Sequence, residues 1–136
     1  MNTFVDEKID VKVKISVLWV AIMICYLYND FFSLFKPGSI EQISMGFMGP
    51  FPVTQGALIS STILMAIPTA MIFLSLVMKA NVNRIVNIIL SFLYIVVMVV
   101  CFKGEWMFYI LMGIIEIVFN ILIIWYAIKW PKENRV

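Results

Sequence analysis

Four long apolar runs dominate this chain. They cover about residues 15–35, 55–78, 85–102 and 106–130, each near the roughly 20 residues that an α-helix needs to cross a hydrocarbon core of about 30 Å. Inside a bilayer the backbone has no water to bond, so a run of this length must be helical. The strands of a membrane barrel would alternate in polarity about every second residue, and no stretch here does. With 136 residues, 63% of them hydrophobic and only 13% charged, a water-soluble globule could not hide its apolar side chains. The expected fold class is therefore all-α: an integral membrane four-helix bundle, one domain over 15–130, with an arm at 1–14 and a tail at 131–136. Lysines precede the first run as in a signal peptide. The run continues through large residues to Asn29-Asp30-Phe31-Phe32 without a small-x-small cleavage site, and reads as a retained span.

Lysine and arginine set the expected orientation. Lys8, Lys12, Lys14, Lys79, Arg84, Lys129, Lys132 and Arg135 fall on one side, and only Lys36 and Lys103 on the other. Both termini are then cytoplasmic. Trp19, Trp106 and Trp130 are expected at the membrane interfaces. The connection from 36 to 54 is the one long loop. Pro37-Gly38 ends the first span, Ser39 with Gln42 gives a capping-box pattern, and Ile40, Ile43 and Phe47 recur at helical spacing. A short interfacial helix between spans one and two fits this pattern, closed by Gly46, Gly49, Pro50 and Pro52. It reads first as a connector and second as a lid.

Several chemistries are excluded. Histidine is absent, which removes the commonest general base and zinc ligand. Cys25 and Cys101 form no CxxC motif, and their depths in separate spans differ too much for a disulfide, so both are expected as free thiols. A net charge of +2, scattered along the chain, leaves no nucleic-acid footprint. No phosphate loop, nucleophile elbow or metalloprotease helix occurs. No catalytic residue, metal ligand or cofactor is assigned.

Polar residues within the spans carry the remaining information, because intramembrane charge costs roughly 2.5–3.5 kcal/mol on insertion scales. Glu116 lies near the middle of the fourth span. Gly113, Asn120 and Ala127 share its helix face. Asp30 lies near the outer end of the first span, on a stripe read as Ser16, Trp19, Met23, Tyr26 and Asp30. Thr54 and Gln55 open the second span at the same outer level, with Ser60, Ser61 and Thr62 deeper. Pro68 frees one backbone carbonyl near mid-span. The third span aligns Asn83, Asn87, Ser91, Tyr94, Met98 and Cys101 on one face. Asn83 and Asn87 are expected to cap helix ends, and Arg84 to snorkel to the headgroups. The expected site is an outward-facing polar pocket of Glu116, Asn120, Asp30, Gln55, Thr54 and Tyr26, the tyrosine donating to one of the acids. The rival expectation is that Glu116 and Asn120 are helix-to-helix hydrogen bonds that fix register.

The chain resembles an uncharacterised group of small bacterial four-span membrane proteins grouped under a domain of unknown function, and is distantly similar to DoxX-like proteins. The resemblance covers Asp10 to Trp130. It rests on Tyr28-Asn29-Asp30, Pro37-Gly38, Thr54-Gln55-Gly56, Ile67-Pro68, Asn83-Arg84-Ile85-Val86-Asn87, Glu116 and Trp125-Tyr126-Ala127. It implies a bundle in the bacterial cytoplasmic membrane, and it brings no assigned activity. DoxX-like proteins are linked to quinol oxidation and thiol stress, chemistry for which this chain has neither histidine nor a cysteine pair.

Three functional readings result. The first is binding or transport of a small molecule, ion or proton through the pocket around Glu116, with transport needing a homodimer because four spans make a narrow bundle. The second is a structural or accessory subunit of a larger membrane complex. The third is an enzyme acting on a lipid or quinone, with Glu116 and Asp30 as acid and base. It ranks last because two carboxyls whose depths differ by about 8 Å make a thin constellation.

Overall fold

The computed structural model describes residues 3–133, so Arg135 and the outermost residues of the arm and tail lie outside the described residues. Four long helices, α1 (Val11–Ser33), α3 (Gln55–Val77), α4 (Ala80–Cys101) and α5 (Met107–Ile128), are long and apolar enough to cross a membrane. A short α2 (Ser39–Ser44) and a two-residue hairpin, β1 (Phe47–Met48) with β2 (Phe51–Pro52), fill the long connection. The chain is an all-α bundle. Helix α1 packs against α3 and α5, α5 packs along α4, and α3 meets α4 more sparingly.

Helix boundaries follow local chemistry. α1 starts at Val11 rather than near residue 15 because the Asp10 carboxylate accepts from the Lys12 amide at 2.8 Å. Thr54 caps α3 likewise, accepting from the Ala57 amide at 3.1 Å. Only Met78 and Lys79 separate α3 from α4, so α4 starts five residues before the expected Ile85. Asn83 and Arg84 look like loop residues in sequence, yet both sit in α4 and complete neighbouring helix ends. Asn83 Nδ2 donates to the Ser75 carbonyl at 2.7 Å, and Arg84 Nε to the Ala127 carbonyl at 2.9 Å. Arg84 thus caps α5 instead of snorkelling freely.

The capping box expected at Ser39 and Gln42 does not form. Gly38, at φ +83°, takes the cap position and Ser39 is already helical. The hairpin was not legible, because strands of two residues show no periodicity. Its turn uses Gly49 at φ +59°. Ile40, Ile43, Phe47 and Phe51 are all exposed, and no residue of α2 is buried.

The core runs through Ile15, Trp19, Ile22, Tyr26, Met71, Tyr94, Met98, Ile123 and Ala127. Trp19 is fully buried, which corrects the expectation of an interfacial ring. Its indole packs edge-on to Tyr94, centroids 6.2 Å apart, and its N–H has a partner deep in the bundle.

Pro68 removes the amide that would bond the Leu64 carbonyl. The Tyr94 hydroxyl takes that place, donating to Leu64 O at 2.5 Å and joining α4 to α3. Tyr94→Phe is therefore expected to destabilise the bundle by about 1–2 kcal/mol. In a Pro68→Ala background, where the helix supplies its own donor, most of that loss should vanish in a double-mutant cycle of reversible unfolding in micelles. A loss of equal size in both backgrounds would show that the two residues are not coupled.

Gly113 lets α5 approach the α4 end closely. A Cβ there would overlap the Phe102 ring and come within 2.8 Å of Met98 Sδ. Gly113→Ala should cost about 1–3 kcal/mol by overpacking, and Phe102→Leu should recover part of it in the same unfolding assay.

Candidate functional site

The inward faces of α1, α4 and α5 carry a column of polar side chains, with Ser75 of α3 closing one end. Two contacts set the antiparallel register of α4 and α5: Arg84 at Ala127, and Met98 against Gly113. Ser91 then comes level with Asn120, and Tyr94 close to the level of Glu116. α1 runs parallel to α4, with Trp19 bonded to Asn87 and the Tyr26 and Tyr94 rings 6.3 Å apart.

The half of the column nearer the chain termini is paired. Asn87 Oδ1 accepts from Trp19 Nε1 at 2.7 Å and from Ser75 Oγ at 3.5 Å. Asn87 Nδ2 donates to Asn83 Oδ1 at 2.6 Å, and Asn83 in turn bonds the end of α3. Ser16 Oγ donates to the Ile72 carbonyl at 2.6 Å. These groups tie three helices together at a level where each unpaired polar atom would be costly.

The other half is different. Glu116 is fully buried, and neither carboxyl oxygen has a hydrogen-bonding partner among the described residues. The same is true of both amide atoms of Asn29, of Asn120 Oδ1 and of Ser91 Oγ. Asn120 Nδ2 only folds back onto the Glu116 carbonyl of its own helix, at 3.0 Å. Buried polar side chains are normally bonded, and an orphan costs about 1–3 kcal/mol. Among the described residues, the helix-to-helix hydrogen bonds expected of the Glu116 and Asn120 side chains under the register reading are not made.

Of the six residues expected to line the pocket, Glu116, Asn120 and Tyr26 are buried on inward helix faces. The Tyr26 hydroxyl donates to neither acid among the described residues. Asp30 is exposed, one residue past the inward face of α1. A step of one residue turns the side chain by about 100°, which places Asn29 inward instead. Thr54 and Gln55 are exposed at the start of α3, which does not pack along α5. Ser60, Ser61 and Thr62 bond carbonyls one turn back in their own helix. Asn29 and Ser91 were missed as site residues. The signal for Asn29 was present: Ser16, Trp19, Ile22, Tyr26 and Asn29 keep helical spacing as well as the stripe through Met23 and Asp30 does. A charge attracted more weight than an amide beside it.

The inward faces offer one carboxyl, two amides and a hydroxyl, all buried. Such a set can hold a polar solute or small cation, or exchange a proton at Glu116. No cluster of three or more acidic or cysteine side chains that could hold a metal ion occurs among the described residues. Cys25 is buried, Cys101 is exposed and both are free. At the end of the bundle away from the termini, Lys36 pairs with Glu105 at 2.9 Å. Beside that pair, a hollow of about 390 Å³ is lined by Phe32, Phe35, Lys36, Trp106 and Phe108.

No curated protein and no solved structure matches the chain. The distant DoxX-like resemblance finds no support in these comparisons. A family of unknown function, DUF6326, matches residues 2–136. A match over nearly the whole length, together with four helices able to cross a membrane, places the chain in that family of unknown function.

Proposed function

We propose that this chain is a membrane protein that binds a small polar solute or cation in the column around Glu116, and that Glu116 exchanges a proton as the ligand enters. One observation carries the reading: a fully buried carboxyl with no hydrogen-bonding partner among the described residues, in a bundle interior where the Asn29 amide, Asn120 Oδ1 and Ser91 Oγ also lack one. Intramembrane acids retained without a structural partner mark ion and proton pathways. The ligand enters in this reading from the end with the hollow at Phe35 and Trp106, whose Phe108 is separated from Glu116 by about 12 Å of α5, so entry requires the helices to part there. The charge count supports an orientation with that mouth outside a cell membrane and both termini cytoplasmic. Transport, as distinct from binding, uses a pair of chains.

The test is infrared difference spectroscopy of the protein in lipid, with Glu116→Gln as control. The expected result is a carboxyl band that titrates between about pH 5 and 9 and shifts when sodium, potassium or a small organic cation is added. The band should be absent in Glu116→Gln. A carboxyl signal locked at every pH, or one unchanged by the substitution, would overturn the proposal.

A second reading, an accessory subunit that packs on a larger complex, is favoured by α3. Only Pro68, Met71 and Ser75 of its 23 residues are buried. Its outer face has an open hollow of about 660 Å³ bordered by small side chains such as Ser61, Ala66 and Ala70. Purification from native membranes with a stoichiometric partner, lost on Ala66→Leu, would support this reading. A chain that purifies alone would count against it.

A further inference from the structure

The bundle end that carries both termini holds a second feature, unrelated to Glu116. The arm leading into α1 and the last turn of α5 enclose a basin of about 580 Å³. Lys8, Lys12, Lys14 and Lys129 border it, against one acid, Asp10. The Asp10 carboxylate is already committed to the Lys12 amide, and Lys12 Nζ to the Met78 carbonyl at 2.8 Å. Lys14 and Lys129 have no carboxylate partner among the described residues. Each lies over an aromatic ring instead, Lys14 Nζ 5.3 Å from the Tyr126 centroid and Lys129 Nζ 4.6 Å from that of Trp125. These rings hold the ammonium groups at the rim without neutralising them.

A second hollow continues from the first. Ile9, Lys14 and Tyr126 border both, and from there an apolar groove of about 280 Å³ runs up between α1 and α5, past Val13, Val17 and Leu122. Val17 is exposed on what would be the lipid-facing surface. A cationic basin at headgroup level joined to an apolar groove at acyl-chain level has the polarity of an anionic amphiphile. A free anion would use the basin and leave the groove without a function.

We infer that this end of the bundle is a binding site for an anionic phospholipid, its phosphate between Lys14 and Lys129 and one acyl chain along the α1–α5 groove. Basic pockets between membrane helices bind such headgroups, with each lysine near an anionic surface contributing about fivefold in affinity. The inference does not rest on the proposed role of Glu116.

Native mass spectrometry of the full chain in uncharged detergent tests it. The probes are phosphatidylglycerol and phosphatidylcholine with identical acyl chains. The wild type should retain phosphatidylglycerol about 25-fold more strongly, about fivefold for each of the two lysines. Lys14→Gln with Lys129→Gln should lose that preference, whereas Lys14→Arg with Lys129→Arg should keep it. Removing equal charge elsewhere, by Lys79→Gln with Lys103→Gln, should leave it unchanged. Val17→Trp, which fills the groove without altering charge, should weaken retention severalfold. Equal retention of the two lipids would overturn the inference, as would equal loss in the Lys79 and Lys103 control. Displacement of the lipid by millimolar inorganic phosphate, with Val17→Trp behaving as wild type, would reassign the basin to a free anion.

Discussion

Asn87→Ala is expected to destabilise the bundle by about 2–4 kcal/mol. Its amide meets Trp19 of α1, Ser75 of α3 and Asn83 of its own helix. Truncation leaves the Trp19 indole N–H unpaired at full burial and removes the donor to Asn83 Oδ1. Single interhelical hydrogen bonds in membranes average only about 0.6 kcal/mol, so a loss of this size requires several buried groups to be orphaned at once. Reversible unfolding in mixed micelles measures it. A Trp19→Phe background should absorb about 1–2 kcal/mol of the loss, because the indole donor is then gone as well. A cost below about 0.5 kcal/mol would show that these groups find other partners and do not hold the helices together.

Glu116→Leu should act in the opposite direction. It removes two buried oxygens that no described residue bonds and puts an apolar side chain of similar size in their place. Stability should rise by about 1–3 kcal/mol, while the carboxyl signal and any cation-dependent response disappear. A gain in stability with a loss of binding is the signature of a site kept for function at the expense of the fold. A loss of more than about 1 kcal/mol would instead make Glu116 a structural tie and sink the proposed site. Asn87 and Glu116 are both fully buried and polar on inward helix faces, so the contrast in sign between the two substitutions is the informative result.

Which polar residues face inward was partly legible. The α4 stripe is buried from Asn83 through Asn87, Ser91, Tyr94 and Met98 as its spacing implies, though Cys101 at its end is exposed, and the Gly113, Glu116, Asn120 and Ala127 face of α5 is buried too. On these helices few alternative stripes compete. On α1 two stripes keep helical spacing through Tyr26, and only packing against α3 and α5 selects Asn29 over Asp30. Thr54 and Gln55 share an outer level with the site by residue count, but depth along a helix says nothing about which neighbour that helix packs against. Arg84 and Trp19 were misplaced for a related reason: interface preferences are averages, and here a free helix end and a buried amide offered each a specific partner.

The sequence by itself determined the four-helix membrane architecture, because apolar runs of spanning length leave the backbone no alternative in lipid. It also determined the family, the free thiols, the carbonyl released by Pro68 and the inward faces of α4 and α5. Tertiary structure alone decided which polar groups are paired and which are not. Pairing depends on the rotation and register of helices far apart in the chain, and a shift of one residue turns a side chain by about 100°. For that reason the sequence could single out Glu116 as a candidate and read Asn87 as structural, but only the packed helices show that Asn87 is bonded to Trp19 and Asn83 while the Glu116 carboxyl has no partner among the described residues.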